Sequence, residues 1–129
     1  MDAAQALADL TEISSQIEAA VLFDESGAVQ GSTLADEAAA AELARGAAEL
    51  LERAGAFRSS GTVTQLEAAT DGGSVFVVQS DKRRIAATTG PQPTVGLVFY
   101  DLKSALRSAD AEPERPKRAP RRKKTESEA

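Results

Sequence analysis

The sequence contains neither cysteine nor histidine among its 129 residues. Without cysteine it has no disulfide framework, no thiolate nucleophile and no zinc-finger ligand set, which is typical of a reducing compartment. Without histidine it lacks the commonest general base and the commonest metal ligand. It has no Gly-rich phosphate loop. Its pairs of adjacent acidic residues lie at predicted helix starts and turns, where capping explains them. We therefore expect a non-enzymatic protein that uses no cofactor, no metal and no small-molecule substrate.

Aromatic residues are also scarce, at 4%, whereas hydrophobic residues reach 42%. The core must therefore consist mainly of Ala, Val, Leu and Ile, and the length suits one domain with a tail. Pockets for small ligands are usually lined by aromatic side chains, which are scarce here. A small-ligand sensor is therefore the weaker hypothesis. No run of about 18 apolar residues predicts a membrane span, and the first residues lack the basic start of a signal peptide. The expected location is cytoplasmic.

Charge is divided unevenly along the chain. Residues 1–109 carry 8 basic and 15 acidic side chains, whereas residues 110–129 carry 7 basic and 5 acidic ones. The second segment also has three Pro and no large apolar residue, so we predict a folded acidic domain over 1–109 and a disordered basic tail over 110–129. The tail is a candidate contact for nucleic acid or anionic lipid, although it lacks aromatic residues for base stacking. The candidate contact residues are Lys117, Arg118, Arg121, Arg122, Lys123 and Lys124.

Hydrophobic periodicity and turn residues predict eight elements in the order αββαβββα. The predicted helices cover 2–16, 34–54 and 94–108, and the predicted strands cover 18–23, 28–32, 62–69, 74–80 and 84–89. Consecutive apolar residues at Ala19–Phe23 and Val75–Val78 predict strands that are buried on both faces. The mixed polarity of the second and third strands predicts sheet edges. Asp24–Gly27 and Asp71–Gly73 are typical turn sequences.

The first and last predicted helices each carry one apolar stripe that would cover a sheet. In the first helix, with Asp2 as the predicted N-cap, the stripe is Leu7, Leu10, Ile13 and Ile17. In the last helix, with Thr94 as the predicted N-cap, it is Val95, Val98, Leu102 and Leu106.

The second predicted helix has a wide apolar surface made mostly of small side chains. Ser32 or Thr33 is its predicted N-cap, and Gly55 is predicted just beyond its end. Gly46 in its interior costs about 1 kcal/mol relative to Ala, a cost that close packing would offset. Two interpretations stay open at this point. Either the small residues only raise the helix propensity of the segment, or they allow the helix to pack closely against two partners.

Lys82, Arg83 and Arg84 form a basic cluster at a predicted hairpin. The cluster is either a solvated turn or a contact for an acidic or phosphate-bearing partner.

Several stretches resemble the Roadblock/dynein light chain family. The first is Val21-Leu22-Phe23-Asp24-x-x-Gly27-x-Val29, which is followed directly by the Ala/Leu-rich helix. The second is the strand from Gly72-Gly73 to Val78, and the third is the helix start Thr94–Leu102. The resemblance covers nearly all of residues 3–107 and leaves out the tail.

The resemblance implies an α+β fold whose five-stranded antiparallel sheet has the strand order 2-1-5-4-3. The long helix would lie on one face, and the first and last helices on the other. It also implies a homodimer in which the third strands pair and the second helices pack together, which would cover an exposed sheet edge. The interface residues it implies are Ala40, Leu43, Ala44, Ala47, Leu50, Leu51, Val63, Thr64, Gln65 and Leu66. A large charged residue in place of Ala47 is then expected to give monomers.

The function that the resemblance implies is binding of a Ras-like small GTPase, which the dimer would regulate or scaffold. The bacterial relatives it points to include a GTPase-activating protein thought to reposition the GTPase's own catalytic residues. We accordingly expect Arg45, Arg53 and Arg58 to lie on the solvated side of the helix end rather than to reach a nucleotide. The alternative hypothesis is an adaptor that the basic tail tethers to nucleic acid or to an anionic membrane.

Overall fold

The computed structural model describes residues 2–57 and 62–111 and contains the eight elements in the predicted order. The helices are α1 (Ala3–Ile13), α2 (Glu37–Gly55) and α3 (Val95–Asp110). The strands are β1 (Ile17–Asp24), β2 (Val29–Ser32), β3 (Gln65–Thr70), β4 (Gly73–Gln79) and β5 (Arg83–Thr89). They form one antiparallel sheet of order β2-β1-β5-β4-β3, so the predicted fold is confirmed. Arg58 and the six basic tail residues predicted to contact polyanions lie outside the described residues.

The sheet separates two apolar layers. Successive residues of a strand point to opposite faces, so the unbroken apolar run of β1 supplies both layers. Leu22 packs with α1 and α3 on one face, whereas Val21 and Phe23 pack with α2 on the other. Phe76 and Val77 divide β4 in the same way. The predicted burial of these two strands on both faces is confirmed.

Helix α1 ends earlier than the apolar spacing predicts. Asp2 is the N-cap, and its carboxylate accepts from the Gln5 amide at 2.8 Å. After Ile13 the backbone turns extended at Ser14, so Ile17 belongs to β1. Ile13 is 64% exposed. The predicted stripe is therefore wrong beyond Leu10, because the helix stops before its fourth turn.

The start of α2 also differs from the prediction. Its N-cap is Asp36, whose carboxylate accepts from the Ala38 amide at 3.0 Å. The two hydroxyls predicted to cap the helix are used elsewhere. Ser32 accepts from the Leu34 amide at 2.9 Å, and Thr33 accepts from the Ala20 amide at 2.9 Å.

Three smaller differences concern predicted ends. Gly55 is the last residue of α2 rather than the residue beyond it. Strand β3 begins at Gln65, and the carbonyls of Val63 and Thr64 before it accept from the side-chain and backbone amides of Gln79, respectively. Thr94 is the N-cap of α3 without a capping side chain, and its amide donates to Gln16 Oε1 at 2.6 Å.

Candidate self-association surface

One face of α2 is closed by the chain's own sheet. This face consists of Ala40, Ala44, Ala47 and Leu51. All four are at most 5% exposed, and they pack against the residues of β1, β4 and β5 that point to this side. Their placement corrects the expectation that these four residues face a second chain, because a fully covered side chain has no surface left to offer. Small residues on this face let the helix lie close to the sheet.

A second apolar stripe of α2 remains accessible. It comprises Ala39, Leu43, Gly46, Leu50 and Ala54, which we call the α2 flank. Gly46 is exposed and the other four are half-buried. Their spacings of 4, 3, 4 and 4 keep them on one side of a helix with 3.6 residues per turn. Of these residues, only Leu43 and Leu50 were included in the predicted interface.

The α2 flank lies on the side of the helix away from Ala41. Ala41 lines a groove together with residues of β2. Leu43 is rotated from Ala41 by about 200° around the helix axis. It packs at the margin of the core under α2, as Leu66 of β3 and Val75 of β4 also do. The α2 flank and the α2-facing side of β3 therefore border the same apolar layer.

Gly46 makes no close contact with the described part of its own chain. A Cβ placed on it would meet no atom within 4 Å among these residues. A Gly inside a helix costs about 1 kcal/mol relative to Ala. Close packing within the described residues therefore does not offset this cost.

Strand β3 presents an open edge at one end of the sheet. It pairs with β4 through six consecutive residue pairs without a register shift, and in the described part of the chain no strand pairs with its other side. The other edge strand, β2, has four residues and an irregular register opposite Leu22 and Phe23. Short or irregular edges resist further pairing, whereas a regular edge is a template for it. The better template is β3.

The remaining predicted interface residues divide between the α2 flank and the segment that leads into and begins β3. Leu43, Leu50, Val63 and Leu66 are half-buried, and Thr64 and Gln65 are exposed. Ala39, Gly46 and Ala54 belong to the apolar surface that the sequence predicts for this helix, but they were not included in the predicted interface. Their spacing relative to Leu43 and Leu50 was the available signal, but in an Ala-rich helix several overlapping stripes satisfy the same periodicity.

The basic hairpin cluster is divided by the sheet. Arg83 donates to the carbonyl of Ala109 at 2.8 Å on the α3 side. Arg84 donates from Nε to Gln79 Oε1 at 2.9 Å. Lys82 is exposed in the turn. The two arginines therefore bind the chain itself, and of the three residues Lys82 alone fits the solvated-turn interpretation.

The two described arginines of α2 lie on its outer surface. Arg45 pairs with Glu42 at 3.9 Å and Arg53 with Glu49 at 3.2 Å, in exposed pairs one turn apart. Such pairs contribute a few tenths of a kcal/mol. Their position agrees with the expected solvated side.

Within residues 2–57 and 62–111, the acidic side chains form no group of three or more that could hold a metal ion. Over the same residues, no helix combines the length and the hydropathy that a membrane span requires.

Comparison with solved structures defines the class of fold. The sheet order with one helix on one face and two on the other is that of Roadblock/LC7 domains. The chain is similar to the Roadblock/LC7 domain from Streptomyces avermitilis, with 21% identity, a TM-score of 0.75, and coverage of 85% of this chain and 96% of that one. It is also similar to the gliding protein MglB from Thermus thermophilus, with 14% identity, a TM-score of 0.70, and coverage of 83% of this chain and 84% of that one.

A more distant likeness is to profilin II of Acanthamoeba castellanii, with 14% identity, a TM-score of 0.51, and coverage of 73% of this chain and 85% of that one. No family model matches the sequence, and no curated protein matches it. At these identities the shared property is the fold.

Proposed function

We propose that this chain is a Roadblock-type protein that forms a homodimer through the α2 flank and the edge of β3. Antiparallel pairing of two β3 strands would join two five-stranded sheets and satisfy the open backbone groups of both edges. We propose that the same two-fold axis brings the two α2 flanks together, since each flank and its own β3 border one apolar layer. The observation that carries the proposal is that this layer is bordered both by an uncovered apolar helix side and by a regular strand with one open edge.

The packing partner proposed for α2 is thus a second α2. Gly46 at the centre of the flank would let the two helix backbones approach closely, and Leu43 and Leu50 on either side of it would supply apolar contact area. The interface proposed here keeps Leu43, Leu50, Val63, Thr64, Gln65 and Leu66 and adds Ala39, Gly46 and Ala54. A solved structure that this fold matches is described as MglB with a tetrameric arrangement, which supports self-association as a property of that protein.

The proposed role of the dimer is to bind a Ras-like small GTPase and to regulate or scaffold it. Two things support this role: the sequence resemblance to Roadblock proteins and the fold shared with MglB structures. Catalysis is assigned to the GTPase, not to this chain. The chain supplies a shaped surface, and the two described arginines of α2 pair with glutamates of the same helix.

The test has two stages. Sedimentation equilibrium over a range of concentrations measures whether the purified chain is a dimer. Purified Ras-like GTPases from the source organism are then mixed with it, and complex formation and single-turnover GTP hydrolysis are measured. A monomer at all concentrations would contradict the interface. A dimer that binds none of these GTPases would contradict the partner and leave the interface standing.

The alternative role, an adaptor tethered through residues 115–124, predicts a different outcome. Deleting residues 112–129 keeps Asp110, which lies 3.7 Å from Arg83 Nε. On the GTPase hypothesis, partner binding survives this deletion. On the adaptor hypothesis, binding to nucleic acid or anionic vesicles is salt-sensitive and vanishes with the tail.

A further inference from the structure

On the face of the sheet opposite α2, a groove of about 320 Å³ runs between α1 and α3. Its polar lining consists of Asp9, Glu12, Asp101, Ser104 and Ser108, and its apolar lining of Ala6, Leu10, Ile13 and Ala105. It thus contains three carboxylates and neither Lys nor Arg. The basic residues of α3, Lys103 and Arg107, line a different groove on the β3 side of that helix. The two basic residues of α3 therefore lie away from the acidic groove.

Asp101 is the unusual member of this groove. Asp101 is only 6% exposed, yet no described residue donates a hydrogen bond to its carboxylate or forms an ion pair with it. A carboxylate at the wall of a groove that lacks a donor of its own can accept a charge-assisted hydrogen bond from an arriving cation or N–H group. The groove therefore fits a ligand with cationic side chains. It is not suited to a metal ion, since its carboxylates do not converge into a metal-binding group.

The chain itself carries a segment with this chemistry. All seven charged residues from Arg115 to Lys124 are Arg or Lys. The segment follows α3 directly, and Ser108, the last groove residue of α3, lies three residues before Ala111. From Ala111 back to Asp101 is about 15 Å along the helix. The six residues from Ala111 to Lys117 span up to about 20 Å, which is long enough to return along the groove.

We propose that the basic segment 115–124 docks on the acidic α1–α3 groove of its own chain. Lys117 and Arg118 are the first basic pair that can reach Asp101, and the remaining basic residues follow toward Asp9 and Glu12. The tether holds the segment at a high effective concentration, so several weak, solvated ion pairs suffice to keep it on the groove. Polyanions and salt would compete for the same side chains, so the groove would regulate access to the tail. This inference is independent of the proposed dimer and of the GTPase.

The experiment uses the full chain and its lack of cysteine. Thr125→Cys introduces a single thiol, and a nitroxide spin label on it broadens the amide signals of nearby residues. We expect broadening of the amides that line the groove on α1 and α3 at low salt, and loss of most of it at about 1 M salt, where the Debye length is about 3 Å. Asp9→Asn with Glu12→Gln should remove more than half of the broadening. Asp101→Asn should weaken it as well.

The matched control is Glu42→Gln with Glu52→Gln, which removes the same charge from the exposed surface of α2 and should leave the pattern unchanged. Equal loss in both double variants would overturn the proposal, since the attraction would then be to net charge alone. Broadening that is absent, uniform, or concentrated on α2 would also overturn it. In a mixture of spin-labelled chains with unlabelled, isotope-enriched chains, only the amide signals of the enriched chains are observed, so broadening reports a tail bound to another chain. Broadening as strong as that within a single labelled and enriched chain would rule out docking of the tail on the groove of its own chain.

Discussion

The guanidinium of Arg83 donates a hydrogen bond from Nη1 to the carbonyl oxygen of Ala109 at 2.8 Å, and its Nε lies 3.7 Å from Asp110 Oδ1. This relationship ties the first residue of β5 to the last turn of α3. A helix end leaves carbonyl groups without partners, and a cation there satisfies them and interacts favourably with the helix dipole.

Arg83→Met should therefore destabilise the protein by about 1–2 kcal/mol, because it removes a charge-assisted hydrogen bond to a partly buried carbonyl. Urea unfolding measures the change, and hydrogen exchange should show earlier opening of the last turn of α3. Lys82→Met, at the exposed neighbouring position, is the control and should change stability by less than about 0.5 kcal/mol. Equal effects of the two substitutions would contradict the role given to Arg83.

Gly73→Ala should destabilise the fold by about 2 kcal/mol or more. Gly73 has a φ of 144°, and a Cβ there would lie 2.2 Å from the carbonyl oxygen of Thr89. Gly72→Ala is a matched control one residue away, because its Cβ would come no closer than 3.9 Å to the Thr70 hydroxyl. Thermal unfolding of both variants checks the difference. Similar midpoints for the two would show that the β3–β4 turn relaxes at no cost.

Gly46→Leu should give a folded monomer if the α2 flank is the dimer interface. A Cβ at this position meets no described atom within 4 Å, so folding should not suffer, whereas two flanks in contact would clash. Ala41→Leu, on the β2 side of the same helix, should leave the dimer intact. Sedimentation equilibrium distinguishes the outcomes, and a dimer of unchanged strength for Gly46→Leu would exclude the α2 flank. Ala47 is not suited to this test, because it is 2% exposed and a charged residue there would disrupt the core.

Asp24 should make stability depend on pH in the acidic range. Its pKa is lowered from the ordinary 3.8, first by the hydrogen bond from the Ser26 hydroxyl and next by the Ala28 amide. A lowered folded-state pKa means that the stabilising contribution is complete above the unfolded-state value and is lost as the pH falls through the folded-state value. Asp24→Asn should flatten the stability profile below about pH 4. An NMR titration should also show that Ser26→Ala brings the pKa of Asp24 closer to 3.8.

Arg45→Ala combined with Arg53→Ala should leave any stimulation of GTP hydrolysis within a few-fold of the original. Both arginines engage glutamates of the same helix in exposed pairs. Loss of an arginine finger lowers the rate by about 10³ to 10⁵. Single-turnover hydrolysis measures the effect, and a loss of that size would assign one of the two a direct role at the nucleotide. Lys82→Ala serves as the control for loss of positive charge.

The strand interiors could be predicted from the sequence because their signals are local. Ala19–Phe23 and Val75–Val78 are apolar without interruption, and only strands covered on both faces tolerate such runs. Helix starts were less predictable. Ser32, Thr33 and Asp36 are all good caps, and the choice among them depended on the amide of Ala20, which lies in another strand and binds Thr33. Likewise, no local signal ends α1 at Ile13.

The candidate surface was only half predictable for a related reason. An Ala-rich helix offers several apolar stripes of equal periodicity, and the sequence does not say which one its own sheet will cover. Folding selected Ala40, Ala44, Ala47 and Leu51 for the core, and this choice left Leu43, Gly46 and Leu50 accessible. The α1–α3 groove depends still more on tertiary structure, because Asp9 and Asp101 are far apart in the chain.

The sequence by itself determined the eight elements, the two-sided burial of β1 and β4, and the contrast between an acidic body and a basic tail. These properties follow from periodicity, turn chemistry and charge, each of which acts over a few residues. Only the tertiary structure decided which side of α2 stays open, which arginine anchors α3, and which carboxylates share a groove. Those outcomes depend on packing between distant segments, where burial of one apolar face excludes the others.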